Sequence, residues 1–204
     1  MLDRVRDQKA RLIEARQNFE RDADATASPG GDREVSFGDV RPLPGTADEA
    51  RAIKRLFPRA HLHTDRGATE EALLAVQRPA ILHVATHAGF LDGDMDTTEP
   101  MLLSVLLLAG VASAWKGAPD LARADGVLTA LELAGVDLGG TELAVLSACE
   151  SGLGVAGEGE GVYGLRRALA VAGAETVVVS LWKVNDQIAA RFLERYYTEL
   201  VAGR

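Results

Sequence analysis

Three short apolar runs, each the length of one strand and set apart by helical segments, constrain this fold more than any other feature. They are Ala80–Thr86, Glu142–Ala148 and Thr176–Trp182. Apolar residues follow one another along each run, so both faces of each strand would be buried. Such strands occur in parallel sheets that are covered by helices on both faces. We therefore expect an α/β domain with a mostly parallel central sheet flanked by helices.

Two helix starts are predicted from capping residues. In a capping box, the side chains of the first and fourth residues satisfy each other's backbone amides. Thr46 and Glu49 have this spacing, and the helix that they open would run through residue 57. Thr129 and Glu132 have the same spacing and predict a second box, which opens a short helix.

The N-terminal part of the chain differs from the rest. Residues 1–24 are highly charged, with Val5, Leu12 and Phe19 seven residues apart on one helical stripe. A narrow stripe of this kind suits a helix that packs on a partner or a preceding domain. Small residues dominate the segment 25–34, which predicts a linker. The α/β domain would then occupy residues 35–204.

Composition restricts the function classes. The net charge is −8, which argues against a nucleic-acid partner and against binding to an anionic membrane surface. A single cysteine allows no internal disulfide, and the charged N-terminus lacks the apolar core of a signal peptide. These features predict a cytoplasmic protein that binds neither nucleic acid nor membrane.

The only cysteine, Cys149, ends an apolar strand and is followed by a glycine-rich stretch. A thiol at the carboxyl end of a strand, on a loop where a backbone can approach a ligand, suits a nucleophile. His87 ends another apolar strand and precedes Ala88 and Gly89, whose amides could approach an oxyanion. Because the carboxyl ends of parallel strands meet at one edge of the sheet, we expect His87 and Cys149 to form a catalytic pair.

The other histidines have simpler interpretations. His83 lies between Leu82 and Val84, which favours a core histidine with satisfied hydrogen bonds. His61 and His63 have no cysteine or third ligand nearby in the sequence, so a surface position is favoured over a metal site. We expect no metal and no cofactor.

A Gly-x-Gly-x-x-Gly pattern at residues 152–157 raises the alternative of a dinucleotide site. The glycines begin several residues after the strand, and further glycines at 159 and 161 prolong the loop before the helix. The ribose-binding acid should end the next strand, but Glu175 stands at its beginning. These departures make a dinucleotide site the weaker interpretation.

Six segments together resemble the CHAT domain, a caspase-like cysteine peptidase domain related to separase and caspases. The segments are 81–87, 100–110, 125–130, 146–152, 159–165 and 180–186. Their order and spacing carry the resemblance, which runs from residue 43 to residue 197. It implies a caspase–haemoglobinase-like fold and a Cys/His dyad formed by Cys149 and His87.

The resemblance also implies roles for residues around the dyad. The Cys149 amide and that of Ala88 or Gly89 would hold the oxyanion, although Ala88 stands where the family usually has glycine. Three further residues match positions that bind substrate in related peptidases: Asp186, Ser147 and Glu160. Asp186 would face the residue before the scissile bond and favour a basic side chain there; the alternative is that Asn185 or Asp186 only caps the last helix.

These observations predict a cysteine endopeptidase that cleaves a protein or peptide substrate and is regulated by an attached domain or partner protein. Two alternatives remain: a non-catalytic caspase-like binding module and, less favoured, a dinucleotide-binding α/β domain. Family members typically carry one more helix beyond the position of Arg204, so a trimmed C-terminus is expected.

Overall fold

The computed structural model of the protein describes residues 43–90, 100–111, 125–150, 160–181 and 184–203. The predicted helix at 1–24, the linker at 25–34 and the glycine pattern at 152–157 lie outside the described residues. The division into a tethering helix, a linker and an α/β domain therefore stays a prediction.

The described residues form alternating helices and strands. The helices are α1 (Pro44–Leu56), α2 (Glu70–Leu74), α3 (Pro100–Leu103), α4 (Ala130–Leu133), α5 (Glu160–Ala172) and α6 (Asp186–Val201), with a 3-10 turn at Asp65–Gly67. The strands are β1 (Ile81–Phe90), β2 (Ser104–Leu107), β3 (Val127–Thr129), β4 (Leu143–Glu150) and β5 (Val177–Val179). Each of the three apolar runs contains a strand, as expected.

The strands form one sheet in the order β3-β2-β1-β4-β5. The pairs β1/β4 and β4/β5 are parallel, whereas β2 is antiparallel to both of its neighbours. Four of the five described strands therefore share one direction, which confirms a mostly parallel sheet. The exception, β2, comes from an apolar run at 101–109 that divides between α3 and a short strand.

Alternation along β1 and β4 separates two cores on opposite faces of the sheet. The larger core contains residues of α3, α4 and α5 packed on even-numbered strand positions such as Leu82 and Leu146. The smaller core contains Leu193 and Tyr197 of α6, with partly buried residues of α1, packed on odd-numbered positions such as Val145. Both faces of the central strands are therefore covered by helices, which explains their continuous apolar sequence.

One of the two predicted capping boxes is confirmed and the other is wrong. Thr129 and Glu132 form both halves of a box at the start of α4. At α1, the helix instead begins at Pro44, and the Thr46 hydroxyl donates to the Leu43 carbonyl oxygen at 2.7 Å. Proline is favoured in the first turn of a helix, where its missing amide costs nothing. Glu49 therefore does not cap α1, and its carboxylate contacts His83 and Ser147 instead.

The last helix, α6, is capped by Asn185, whose side chain accepts from the amides of Gln187 and Ile188. Its buried face contains two alanines, Leu193 and Tyr197, so Ile188 and Phe192 point to solvent. No helix among the described residues is both long and apolar enough to cross a membrane.

Candidate active site

His87 and Cys149 are neighbours in the sheet. They are directly paired in the parallel register of β1 and β4; β1 continues beyond His87 to Phe90, and β4 ends at Glu150. Adjacent strands lie about 4.8 Å apart, so the two backbones approach closely at this point. The prediction that both residues reach the same edge of the sheet therefore agrees with the backbone register, while the side chain of Cys149 lies outside the described part.

The face of the sheet on which this pair sits is the one covered by α1 and α6. Ile81, Leu143 and Val145 pack there against residues of these two helices. Because side chains alternate along a strand, position 87 shares that face with position 81, and position 149 shares it with 143 and 145.

A cavity of about 260 Å³ opens on this face beside His87. The strands contribute Thr86, His87 and Ser147, and the starts of α1 and α6 contribute the remaining wall. That wall consists of Leu43, Thr46, Glu49, Val184, Asn185, Asp186 and Ala189. The predicted site residues His87, Ser147 and Asp186 are therefore brought together around one cavity.

A second, more open depression of about 500 Å³ lies between α5 and β5. It is lined by Tyr163, Arg166, Arg167, Ala170 and Val177, and it contains none of the residues predicted for the site. The larger volume therefore does not mark the candidate active site.

Asp186 connects the starts of the two helices that form the cavity wall. Its Oδ2 accepts a hydrogen bond from the Gly45 amide at 2.8 Å. A Cβ on Gly45 would lie 2.6 Å from the backbone carbonyl atoms of Asp186, so only glycine permits this approach. Asn185, and not Asp186, caps α6. The Asp186 carboxylate therefore does not cap its own helix; it accepts a hydrogen bond from the first turn of α1 and lines the cavity.

Below the cavity, Glu49 is the centre of a buried polar network. Its Oε1 lies 2.6 Å from Nε2 of His83, and its Oε2 accepts a hydrogen bond from Ser147 Oγ at 3.1 Å. Nδ1 of His83 lies 2.9 Å from the Tyr197 hydroxyl. Glu49 is only 1% exposed. His83 is therefore a core histidine with both ring nitrogens engaged, as the sequence predicts.

The Tyr197 hydroxyl keeps its proton in this network. Burial, followed by the negative charges of Tyr196 and Glu49, raises the pKa of Tyr197 well above the ordinary value of a phenol. Tyr197 therefore meets His83 as a hydroxyl, which can donate to Nδ1 or accept from it according to the tautomer of the ring.

Sequence reasoning missed this role of Glu49 because the spacing from Thr46 was interpreted as a capping box. A signal was nevertheless present. Gly45, Glu49 and Ala52 are the buried residues of α1, and they recur at helical spacing on one face. An acid on the apolar face of a helix requires a buried partner, so it marks a polar network or a site.

The remaining predicted site residues have clear positions. Ala88 and Gly89 continue β1, where they pair with Leu106 and Val105 of β2. The positive φ values among described non-glycine residues are those of Asp65 and Arg78, so the backbone at Ala88 accommodates a side chain in place of the family's glycine. Glu160 begins α5, and its side chain lies outside the described part.

The two remaining histidines are exposed and do not line the cavity. His61 and His63 lie in the exposed segment between α1 and the 3-10 turn. Within the residues that the structure describes, no group of three or more His, Cys, Asp or Glu side chains is placed to hold a metal ion.

The fold and the cavity define a class of protein: an α/β domain with a mostly parallel sheet covered by helices, in which His87 and Cys149 are paired on adjacent parallel strands. Comparison with family models matches the chain to the CHAT domain over residues 4–204. The chain therefore belongs to the CHAT domain family, which is caspase-like, and the resemblance found in its motifs is confirmed. A comparison with curated protein sequences gave no significant match.

Proposed function

We propose that this chain is a cysteine endopeptidase in which Cys149 is the nucleophile and His87 is the general acid and base. The observation that carries the proposal is the pairing of His87 with Cys149 in the register of two parallel strands. Membership of a caspase-like family supports it. The cavity beside His87 supplies room for a substrate side chain next to the reacting bond.

In the proposed reaction, the Cys149 thiolate attacks the carbonyl carbon of the scissile peptide bond. The amides of Cys149 and of Ala88 or Gly89 hold the oxyanion that forms. His87 donates a proton to the leaving amine as the carbon–nitrogen bond breaks, which leaves a thioester. His87 then takes a proton from water, whose oxygen attacks the thioester and releases the acid product and the thiolate.

The substrate is proposed to be a protein or peptide with a basic residue before the scissile bond. Asp186 would receive that side chain, since its carboxylate lines the cavity next to His87. Ser147 would form part of the cavity floor, and Glu160 would order the glycine-rich loop or the pocket. An attached domain or partner protein would regulate access to this site.

Cleavage of a peptide library by the wild type, Cys149→Ala and His87→Ala tests the dyad. We expect Cys149→Ala to abolish cleavage and His87→Ala to lower kcat/KM by about 10²- to 10⁴-fold, the usual contribution of a general acid and base. His63→Ala, which changes an exposed histidine away from the cavity, is the matched control.

The single cysteine gives a second measurement, because Cys149 is the only thiol that a cysteine-directed peptidyl electrophile can label. Equal cleavage by the wild type and Cys149→Ala would refute the proposal. Absence of both cleavage and labelling would favour a non-catalytic binding module built on the same fold.

A further inference from the structure

The cavity beside His87 carries an unusual balance of charge. Two carboxylates, those of Glu49 and Asp186, line it. None of the described residues around the cavity is lysine or arginine. A pocket whose described lining has acids on two walls, His87 at one side and no lysine or arginine attracts cations on the side of the acids, and its low-dielectric walls strengthen that attraction.

Glu49 occupies the deeper of the two positions. It is 1% exposed, whereas Asp186 is only partly buried. His83 and Ser147 hold its two carboxylate oxygens, which fixes the orientation of the group. Each carboxylate oxygen can accept more than one hydrogen bond, so both oxygens keep capacity for a donor that enters from the cavity.

We propose that Glu49 is a second specificity-determining acid, which together with Asp186 binds the cationic side chain of the residue before the scissile bond. This inference rests on the proposed peptidase function. A cation that leaves water for a closed pocket requires a paired charge with satisfied hydrogen bonds. Asp186 supplies one carboxylate at the cavity wall, and Glu49 supplies a second, whose orientation His83 and Ser147 fix.

A purely structural role for Glu49 makes a different prediction. In that case, loss of its charge would weaken the fold through His83 and Ser147 but leave the choice between substrates unchanged. The discriminating measurement is therefore a ratio of two substrates cleaved by the same protein, which loss of stability does not alter.

The probes are two peptide libraries that differ only in one fixed residue, arginine in the first and citrulline in the second. Citrulline has nearly the shape of arginine but no charge. We expect the wild type to favour arginine and Glu49→Gln to lower the arginine-to-citrulline ratio of kcat/KM by about tenfold or more, as for loss of one member of a buried charge pair. Asp48→Asn removes a neighbouring exposed acid and should leave the ratio unchanged.

Asp186→Asn provides a test that leaves the buried network intact. Asparagine can still accept the hydrogen bond from the Gly45 amide, so the helix starts keep their contact. If Glu49 also binds the cation, this variant retains a preference for arginine of at least about threefold. If Asp186 alone binds the cation, the arginine-to-citrulline ratio of kcat/KM falls to one in this variant.

The outcomes are distinguishable. If Glu49→Gln folds and keeps the wild-type arginine-to-citrulline ratio, the inference about Glu49 is overturned. An arginine-to-citrulline ratio of one in Asp186→Asn overturns it as well. Neither result contradicts the proposed peptidase function. If Glu49→Gln does not fold, the Asp186→Asn ratio alone decides. Absence of cleavage and of Cys149 labelling in the wild type overturns the peptidase proposal itself.

Discussion

His83 and His87 are four residues apart on β1, yet their surroundings give them different roles. His83 has both ring nitrogens in a buried network with Glu49 and Tyr197. His87, further along β1, lines the cavity and pairs in register with Cys149. The sequence could separate the two, because apolar neighbours on both sides predict a core residue, whereas the small residues Ala88 and Gly89 after His87 predict an accessible one. It could not predict the partners of His83, which come from helices distant in sequence.

Removal of the Tyr197 hydroxyl tests the strength of this network. We expect Tyr197→Phe to lower the free energy of unfolding by about 1–2 kcal/mol, because His83 loses one hydrogen-bond partner while the ring contacts with Phe57 and Tyr196 remain. Urea denaturation measures the change. Tyr196→Phe is the matched control and should be near neutral; equal losses in the two variants would argue against the network.

Alkaline pH should act through the same hydroxyl. Burial raises the pKa of Tyr197 in the folded protein, so only the unfolded chain loses this proton at pH of about 10. The unfolded state then binds fewer protons, and the stability that Tyr197 contributes declines as the pH rises further. We expect the stability difference between the wild type and Tyr197→Phe to shrink above pH of about 10. A difference that stays constant from neutral to alkaline pH would contradict this.

At the scale of elements, the two Thr-x-x-Glu patterns show when local sequence alone predicts a helix cap correctly. The pattern forms a capping box at α4 but not at α1. Thr129 and Glu132 form both halves of a capping box in the first turn of α4, as their spacing predicts. Glu49 has the same local pattern, but His83 and Ser147 lie within reach across the sheet. Tertiary contacts therefore override the local signal at α1. The same holds for the apolar run at 101–109, whose division into α3 and β2 depends on packing against β1.

The contact between the starts of α1 and α6 gives a prediction at this scale. Gly45→Ala places a methyl group 2.6 Å from the Asp186 carbonyl group, so the two helices must separate. We expect a loss of about 1–3 kcal/mol in the free energy of unfolding, the usual cost of overpacking, together with weaker substrate cleavage. Thermal unfolding measures the loss.

Gly67→Ala is the matched control for this substitution. A Cβ at Gly67 meets no atom within 4 Å, so its stability should change by less than about 0.5 kcal/mol. If Gly45→Ala is as stable as Gly67→Ala, the close approach of the helices does not constrain the cavity wall.

At the scale of the whole molecule, the sheet is the part that the sequence predicts best. Apolar runs identify β1, β4 and β5, and their continuous apolar sequence predicts the parallel pairing that the structure shows. The cavity is harder to predict, because its walls come from helix starts at opposite ends of the described chain. No local pattern links Gly45 to Asp186, although their contact determines the wall.

Regulation also belongs to this scale. The proposed peptidase would need restraint, and we propose that residues 1–24 contribute to it, so we expect their deletion to raise cleavage of the peptide library relative to the full chain. The comparison requires equal thermal stability of the two proteins. An unchanged rate would count against a regulatory role for this segment.

The β1–β4 pair has a consequence for folding kinetics. The two strands are far apart in sequence, and loop-closure entropy makes such parallel pairs slow to form. The proposed acid and nucleophile meet only when this one ladder has formed. A nascent chain, or a chain in which the ladder has locally opened, would therefore hold its cysteine and histidine apart and lack peptidase activity. Activity would then report directly on the integrity of a single strand pair.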